Sequence, residues 1–239
     1  MAKLLVDNRE IEVKDGISLL QACLDNGIYI PNLCHIHGTD NPSASCRLCF
    51  VEIEGEDKPI SSCTVKAKDG IIVKTDTPSV RRLQRTAFKL LMSVHRVDCG
   101  HCPANKKCEL QRIAKFLKVG LKPKYLELHL KEPEVDESHP FLDYYPNRCV
   151  LCGKCIAVCK DKHGRAFLTF AKRGLDTVVS SYGENDVSNL PCGKCLACIR
   201  ICPVGAITWK DSPQQTDPNP DKPATTLSSH TQGKQSQSG

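Results

Sequence analysis

Apolar and polar residues alternate in KLLVD (3–7) and EIEVK (10–14), on either side of a turn-like Asn8–Arg9. Period-two alternation broken by turn residues predicts a β-hairpin at the start of the chain. ISLLQACLDNG changes period: Ile17, Leu20 and Leu24 fall on one helical face, and Gly27 ends the run as a C-cap. GIIVKTDTP then reads as a strand closing on Pro78. Thr77 has the chemistry of an N-cap and Pro78 that of a first helical residue, opening SVRRLQRTAFKLLMSVH. Its predicted core stripe is Val80, Leu83, Ala87, Leu90, Leu91 and Val94, with Arg81, Arg82, Arg85 and Lys89 largely on a solvated face. A short helix, ELQRIAKFLKVG, follows Cys108.

These patterns divide the chain into residues 1–78, 79–140, 141–210 and 211–239. The last 29 residues, DSPQQTDPNP through QSQSG, are polar and rich in Pro, Ser, Gln and Thr. A segment with so little apolar surface to bury is expected to be disordered.

Composition changes the picture at one point. Aromatic residues make up only 5%, thin for one large core, yet there are 16 cysteines among 239 residues. Either they form a secreted disulfide framework or they bind metal. The N-terminal MAKLLVDNRE lacks the apolar stretch of a signal peptide, and no run of about 18 apolar residues is present. The expectation is therefore a cytoplasmic chain without membrane insertion, using thiolates for metal.

Spacing specifies the metal. CVLCGKCIAVC places Cys149, Cys152, Cys155 and Cys159; CGKCLACIRICP places Cys192, Cys195, Cys198 and Cys202. Both are C-x2-C-x2-C-x3-C, the run that holds two [4Fe–4S] clusters with the fourth cysteine ligating the opposite cluster. The expected sets are Cys149, Cys152, Cys155 and Cys202 for one cube, and Cys192, Cys195, Cys198 and Cys159 for the other. Zinc modules use separated cysteine pairs rather than unbroken triplets. A third set, Cys34-x11-Cys46-x2-Cys49-x13-Cys63, lies in the strand-rich unit and resembles a plant-type [2Fe–2S] ferredoxin domain, although its spacing departs from C-x4-C-x2-C. With four cysteines available there, His35 and His37 read as surface histidines.

HRVDCGHCPANKKC supplies Cys99, Cys102 and Cys108 and no fourth cysteine. Cys23, the one cysteine left over, lies in an apolar stretch where a small buried residue is the ordinary explanation. His101 is squeezed between two ligands and points away. His95, one helical turn before Cys99, is free to reach inward and is the expected fourth ligand of a third [4Fe–4S] cluster. A neutral imidazole in place of a thiolate removes one negative charge and should raise the reduction potential, as histidine ligation does in Rieske centres.

The stretches PNLCHIHG, SCRLCFVEIEG and SSCT, then HRVDCGHCPANKKCELQ, then NRCVLCGKCIAVC and PCGKCLACIRICPVGAI, follow one another in a recognisable order. That order resembles the N-terminal iron–sulfur region of [FeFe]-hydrogenases. It is similar also to the diaphorase small subunit of NAD-linked hydrogenases, the front of the large peripheral-arm subunit of respiratory complex I, and a segment of NAD-dependent formate dehydrogenases. The resemblance implies one [2Fe–2S] and three [4Fe–4S] clusters acting as an electron wire, and independently implies His95 as a ligand. The implied fold is α+β: a β-grasp-like [2Fe–2S] ferredoxin domain, a small helical domain whose cluster takes one histidine and three cysteines, and a bacterial-type 2[4Fe–4S] ferredoxin domain.

The 37 residues after Cys202 contain no cysteine, and no G-x-G-x-x-G follows a strand. Neither a hydrogen-activating cluster, a dinucleotide site, a molybdopterin domain nor a hydrolytic nucleophile elbow is expected. The expected function is a non-catalytic redox subunit of an oxygen-sensitive cytoplasmic hetero-oligomer. It links an NAD(P)H-linked flavoprotein to a catalytic metalloenzyme subunit such as a hydrogenase, formate dehydrogenase or other low-potential reductase. A freely diffusing polyferredoxin is the alternative. The formal charge of +6, from 33 Lys+Arg against 27 Asp+Glu, at first suggests a polyanion partner. The four liganded clusters together contribute about −7, leaving about −1, so the basic residues balance clusters and nucleic acid is not expected.

Overall fold

The computed structural model describes residues 1–39, 41–181 and 192–210; the expected disordered tail at 211–239 lies outside the described residues. The chain opens with the hairpin of β1 (Ala2–Val6) and β2 (Arg9–Val13). Its turn is Asp7–Asn8 rather than Asn8–Arg9, both residues having positive φ. Two left-handed residues match the twist of the flanking strands, and Asp and Asn tolerate that conformation better than the β-branched types. Helix α1 (Leu19–Asp25) starts where the Ser18 hydroxyl accepts from the Gln21 N–H at 3.2 Å. The helix gives way to the left-handed Gly27. Strands β3 (Phe50–Ile53), β4 (Ile60–Ser61) and β5 (Ile72–Lys74) complete a five-stranded sheet in the order β2-β1-β5-β3-β4. β5 runs parallel to β1 with Val6 opposite Val73, so the first and last strands of the unit meet at its centre. Leu4, Val6, Leu19, Leu20, Cys23, Val51 and Val73 fill the core between sheet and α1.

Helix α2 (Pro78–Met92) begins as expected, the Thr77 hydroxyl accepting from the Val80 N–H at 3.1 Å. Its buried face differs from the expected stripe: Val80, Gln84, Ala87, Phe88 and Met92 face inward, and Leu90 is 56% exposed. Val94 lies beyond the helix end. The rotation follows from Gln84, which is fully buried and satisfied on both sides. Its Nε2 donates to the Phe50 carbonyl at 3.1 Å, and its Oε1 accepts from Arg81 Nη1 at 3.2 Å. A polar side chain with both ends paired can occupy a core position. Helix α3 (Glu109–Leu117) packs on α2 and reaches back to the first unit, Phe116 meeting Tyr29 edge-on at 4.7 Å between ring centroids.

The last unit is closed by two strands far apart in sequence. β6 (Leu142–Tyr144) and β9 (Ile207–Trp209) pair antiparallel, Tyr144 opposite Ile207. Between them lie α4 (Lys154–His163), a hairpin of β7 (Leu168–Ala171) and β8 (Val178–Ser181), α5 (Cys192–Cys195) and α6 (Ala197–Ile201). One apolar core runs through all three units, from Leu33, Cys34, Cys46 and Leu48 across Phe88, Met92 and Ile113 to Cys149, Cys152 and Val204. Among the described residues no helix is long and apolar enough to cross a membrane.

Candidate iron–sulfur centres

The sulfurs gather in four places. Among the described residues no three His, Cys, Asp or Glu side chains converge on a point suited to a single metal ion.

Cys34, Cys46, Cys49 and Cys63 are all buried beside the first sheet. Cys34 and Cys46 stand with sulfurs 3.4 Å apart. The contact with Cys46 holds the Cys34 thiol well below its ordinary range, and the contact with Cys49 lowers Cys63, while those contacts and burial push Cys46 and Cys49 up. Two sulfurs close together in each of two pairs is the arrangement of a two-iron site, each iron taking one pair. The loop that supplies them carries Ala44 and Arg47 at positive φ; alternation of right- and left-handed residues turns successive N–H groups toward an anion. His37 is exposed near Asp25, as expected of a surface histidine. His35 is instead half-buried, its Nε2 2.8 Å from Gln21 Oε1.

Cys149, Cys152, Cys155 and Cys202 rim one pocket, with Tyr144, Val179 and Val204 in its walls. The structure thus brings Cys202, fourth of the second run, to the first triplet. Backbone N–H groups aim at these sulfurs: Leu151 donates to Cys149 at 3.4 Å and Ala206 to Cys202 at 3.3 Å. The Val179 N–H donates to the Tyr144 hydroxyl at 3.1 Å, and that hydroxyl donates to Cys149. Burial pushes the Cys152 thiol up to about 12 and raises Cys149 and Cys155 as well. Thiols so reluctant to ionise alone become thiolates by exchanging protons for metal.

Cys159 lies on α4 close enough to Cys192 and Cys198 to act on them: burial, then the neighbouring cysteines, raises the Cys192 thiol and pushes Cys198 up to about 12. The Phe167 N–H donates to Cys159 at 3.3 Å. The two runs therefore exchange their fourth cysteines in space.

His95, Cys99, Cys102 and Cys108 line a further pocket with Arg148 and Val204. His95 sits just past α2, its Nδ1 3.1 Å from the Arg148 carbonyl. Donation there from Nδ1–H fixes the tautomer that leaves Nε2 with a free lone pair, the supporting hydrogen bond typical of a metal-binding histidine. Burial pushes the imidazole down to about 4, so it is neutral at pH 7 and able to ligate. His101 is 85% exposed and pairs with Asp98 at 2.9 Å. Cys23 is fully buried in the core of the first unit.

Two features that tie the sets together were not visible in the sequence. Pro203 and Val204 wedge between the second and last sets: the Glu109 N–H donates to the Pro203 carbonyl at 3.0 Å, and Val204 lines both cavities. The Ser43 hydroxyl, in the loop between Cys34 and Cys46, donates to the Cys152 carbonyl at 3.4 Å. Such contacts join loops far apart in sequence, and no local spacing announces them.

Comparisons with known proteins agree with this arrangement segment by segment. Residues 1–78 match the 2Fe-2S iron-sulfur cluster binding domain. Residues 84–121 match the NADH-ubiquinone oxidoreductase-G iron-sulfur binding region. Residues 139–208 match the ferredoxin-like domain of NADH-quinone oxidoreductase subunit 3. The NADPH-Fe(3+) oxidoreductase subunit alpha of Geobacter sulfurreducens is 32% identical over 210 residues, 88% of this chain and 24% of that protein. An NADH-quinone oxidoreductase subunit of Rickettsia prowazekii is 32% identical over 212 residues, 88% of this chain and 30% of that protein. This chain therefore spans 24% and 30% of the length of these curated relatives. A chain in the crystal structure of an NAD+-reducing [NiFe]-hydrogenase in the H2-reduced state superposes with a TM-score of 0.76 at 28% identity, covering 90% of both chains. The likeness to complex I and NAD-linked hydrogenase subunits read from the motifs thus extends over nearly all the described residues.

Proposed function

From a chain whose three segments belong to the iron–sulfur domain families of NADH-linked oxidoreductases, we propose an electron-transfer subunit holding one [2Fe–2S] and three [4Fe–4S] clusters. Cys34 and Cys46 hold one iron of the two-iron cluster, Cys49 and Cys63 the other. Cys149, Cys152, Cys155 and Cys202 hold one cube; Cys192, Cys195, Cys198 and Cys159 a second; His95, Cys99, Cys102 and Cys108 the third. When bound, the clusters supply one-electron donors and acceptors in series. The domain limits 78, 140 and 210 belong to the same proposal.

The observation that carries the reading is that Cys202 lines one cavity with Cys149, Cys152 and Cys155, and His95 another with Cys99, Cys102 and Cys108. The chain's own work is to deprotonate and orient the ligands, aim backbone N–H groups at the sulfurs and keep water from them. Burial of Cys34, Cys46, Cys149 and Cys152 serves the last.

The proposed setting is a cytoplasmic hetero-oligomer in which a flavoprotein exchanging electrons with NAD(P)H stands at one end and a catalytic metalloenzyme subunit at the other. The names of the relatives support this, as does an apolar strip no free carrier needs: Leu126, Leu128 and Leu130 are exposed beside the still more exposed Tyr125. Anaerobic purification from the native host, with every co-purifying chain identified by mass spectrometry, tests the setting. A flavoprotein and a metal-bearing catalytic chain in fixed proportion are the expected result. Recovery of the chain alone with all clusters intact overturns it in favour of a free polyferredoxin.

A further inference from the structure

Among the described residues, the pocket of Cys149, Cys152, Cys155 and Cys202 has one lining side chain besides the cysteines that can make a hydrogen bond, and it is Tyr144. The rest of the wall is Val150, Gly153, Val179, Val204, Ala206 and Ile207. Strand β6 carries Tyr144 into the core, where it is buried opposite Ile207 of β9. Its backbone is held on the other side by Asp136: the Tyr144 N–H donates to the Asp136 carbonyl at 3.0 Å, and the Asp136 N–H donates to the Tyr144 carbonyl at 2.7 Å. The hydroxyl oxygen accepts from the Val179 N–H of β8 at 3.1 Å. A phenol can donate while it accepts, and conjugation keeps its O–H close to the plane of the ring. Acceptance from Val179 on one side therefore directs the hydrogen to the other. A buried hydroxyl whose hydrogen meets nothing is costly, and the side-chain acceptors lining this pocket are sulfurs. Burial raises the Cys149 thiol, and the Tyr144 hydroxyl is the largest influence opposing that rise.

The Leu151 and Ala206 N–H groups that aim at Cys149 and Cys202 belong to the cysteine loops themselves. Tyr144 comes from a separate strand, and β8 sets its aim. Hydrogen bonds to cluster sulfurs help to set the potential. A donor on a thiolate is charge-assisted, and it binds more strongly as the cluster gains an electron and the sulfur becomes richer in charge. The reduced state is thereby favoured, with no change in net charge. We propose that the Tyr144 hydroxyl donates to Cys149 Sγ and raises the reduction potential of the cluster held by Cys149, Cys152, Cys155 and Cys202. Tyr144 is a positioning and tuning residue, not a ligand. The inference rests on reading that pocket as a cluster site, and its test separates the two.

The full-length wild-type chain and Tyr144→Phe, which removes one oxygen and keeps the ring, are assembled with their clusters under anaerobic conditions and titrated by EPR-monitored potentiometry. The relevant signal is identified by its alteration in a Cys202→Ser variant. In Tyr144→Phe the reduced-to-oxidised ratio of that cluster at a fixed applied potential falls about fivefold, equivalent to about 40 mV at about 59 mV per tenfold for a one-electron couple. The other three clusters serve as internal references and stay within about twofold. Deuterium ENDOR on the same signal, after assembly in D2O, shows an exchangeable coupling in the wild type that is missing in Tyr144→Phe, a change that packing alone does not produce. Absence of any Cys202-dependent signal in the wild type overturns the cluster reading itself. A Cys202-dependent cluster whose ratio is unmoved in Tyr144→Phe, or whose deuterium couplings are the same in both proteins, overturns the role of Tyr144 alone. Should Tyr144→Phe fail to retain the cluster, 4-fluorophenylalanine at position 144, which fills the space of the oxygen and donates nothing, is titrated against the same criteria. Loss of the cluster there too overturns tuning in favour of a purely structural role.

Discussion

Replacing His95 by cysteine changes one ligand and one unit of charge. In the proposed His95-ligated site, the neutral imidazole would leave the cube one charge less negative than an all-thiolate site; His95→Cys would restore that charge. At an effective dielectric constant of about 20, a unit charge roughly 4 Å away acts with about 4 kcal/mol on each added electron. That value is an upper bound here. The charge spreads over the cube, and Cys99, Cys102 and Cys108 are only partly buried, so water screens the site. A net effect on the order of 1–2 kcal/mol remains, a fall in midpoint of roughly 40–90 mV at about 59 mV per tenfold. Anaerobic EPR-monitored titration of both proteins reads it, with iron analysis to show that the cube is retained. A parallel His95→Ala variant, which leaves one iron without a protein donor, is expected to lose or degrade that cube and spare the other three clusters. An unchanged or raised midpoint in His95→Cys, or a full cluster complement in His95→Ala, refutes imidazole ligation.

Two further outcomes test how the fold supports the sites. Gln84→Ala removes a fully buried amide and strands the Phe50 carbonyl between α2 and β3; a loss of about 1–3 kcal/mol is expected in chemical denaturation of the anaerobic holoprotein. Gly205→Ala forces a side chain onto a residue with φ +65°, its Cβ 3.0 Å from that of Ala104. The strain, about 1–2 kcal/mol from the left-handed backbone alone, falls between the cavities of Cys202 and Cys102, so iron analysis is expected to show weakened retention at both of those sites and none of it at the two-iron site.

What was legible in the sequence was local. The hairpin, α1, the Thr77–Pro78 start of α2 and three of the four cysteine runs are specified within a dozen or so residues, and their spacing carries the chemistry. The buried face of α2 was misread because Gln84 looks polar until the Phe50 carbonyl is beside it, and that partner is 34 residues away. The pairing of β6 with β9 joins residues 142–144 to 207–209 across both cysteine runs, and neither three-residue strand is long enough to show a period. Lys131 is the sharpest case: by pattern it belongs outside with its leucine neighbours inside, and the structure reverses both.

The central claim is the cluster complement, and an anaerobic count of iron, zinc and acid-labile sulfide on the chain matured with its assembly machinery tests it most directly. Two irons in one [2Fe–2S] cluster and four in each of three cubes give fourteen irons per chain, with as many sulfides and no stoichiometric zinc. About ten irons and ten sulfides, unchanged in His95→Ala, would remove the cube at Cys99, Cys102 and Cys108. Zinc as the principal metal would contradict the electron-transfer reading altogether.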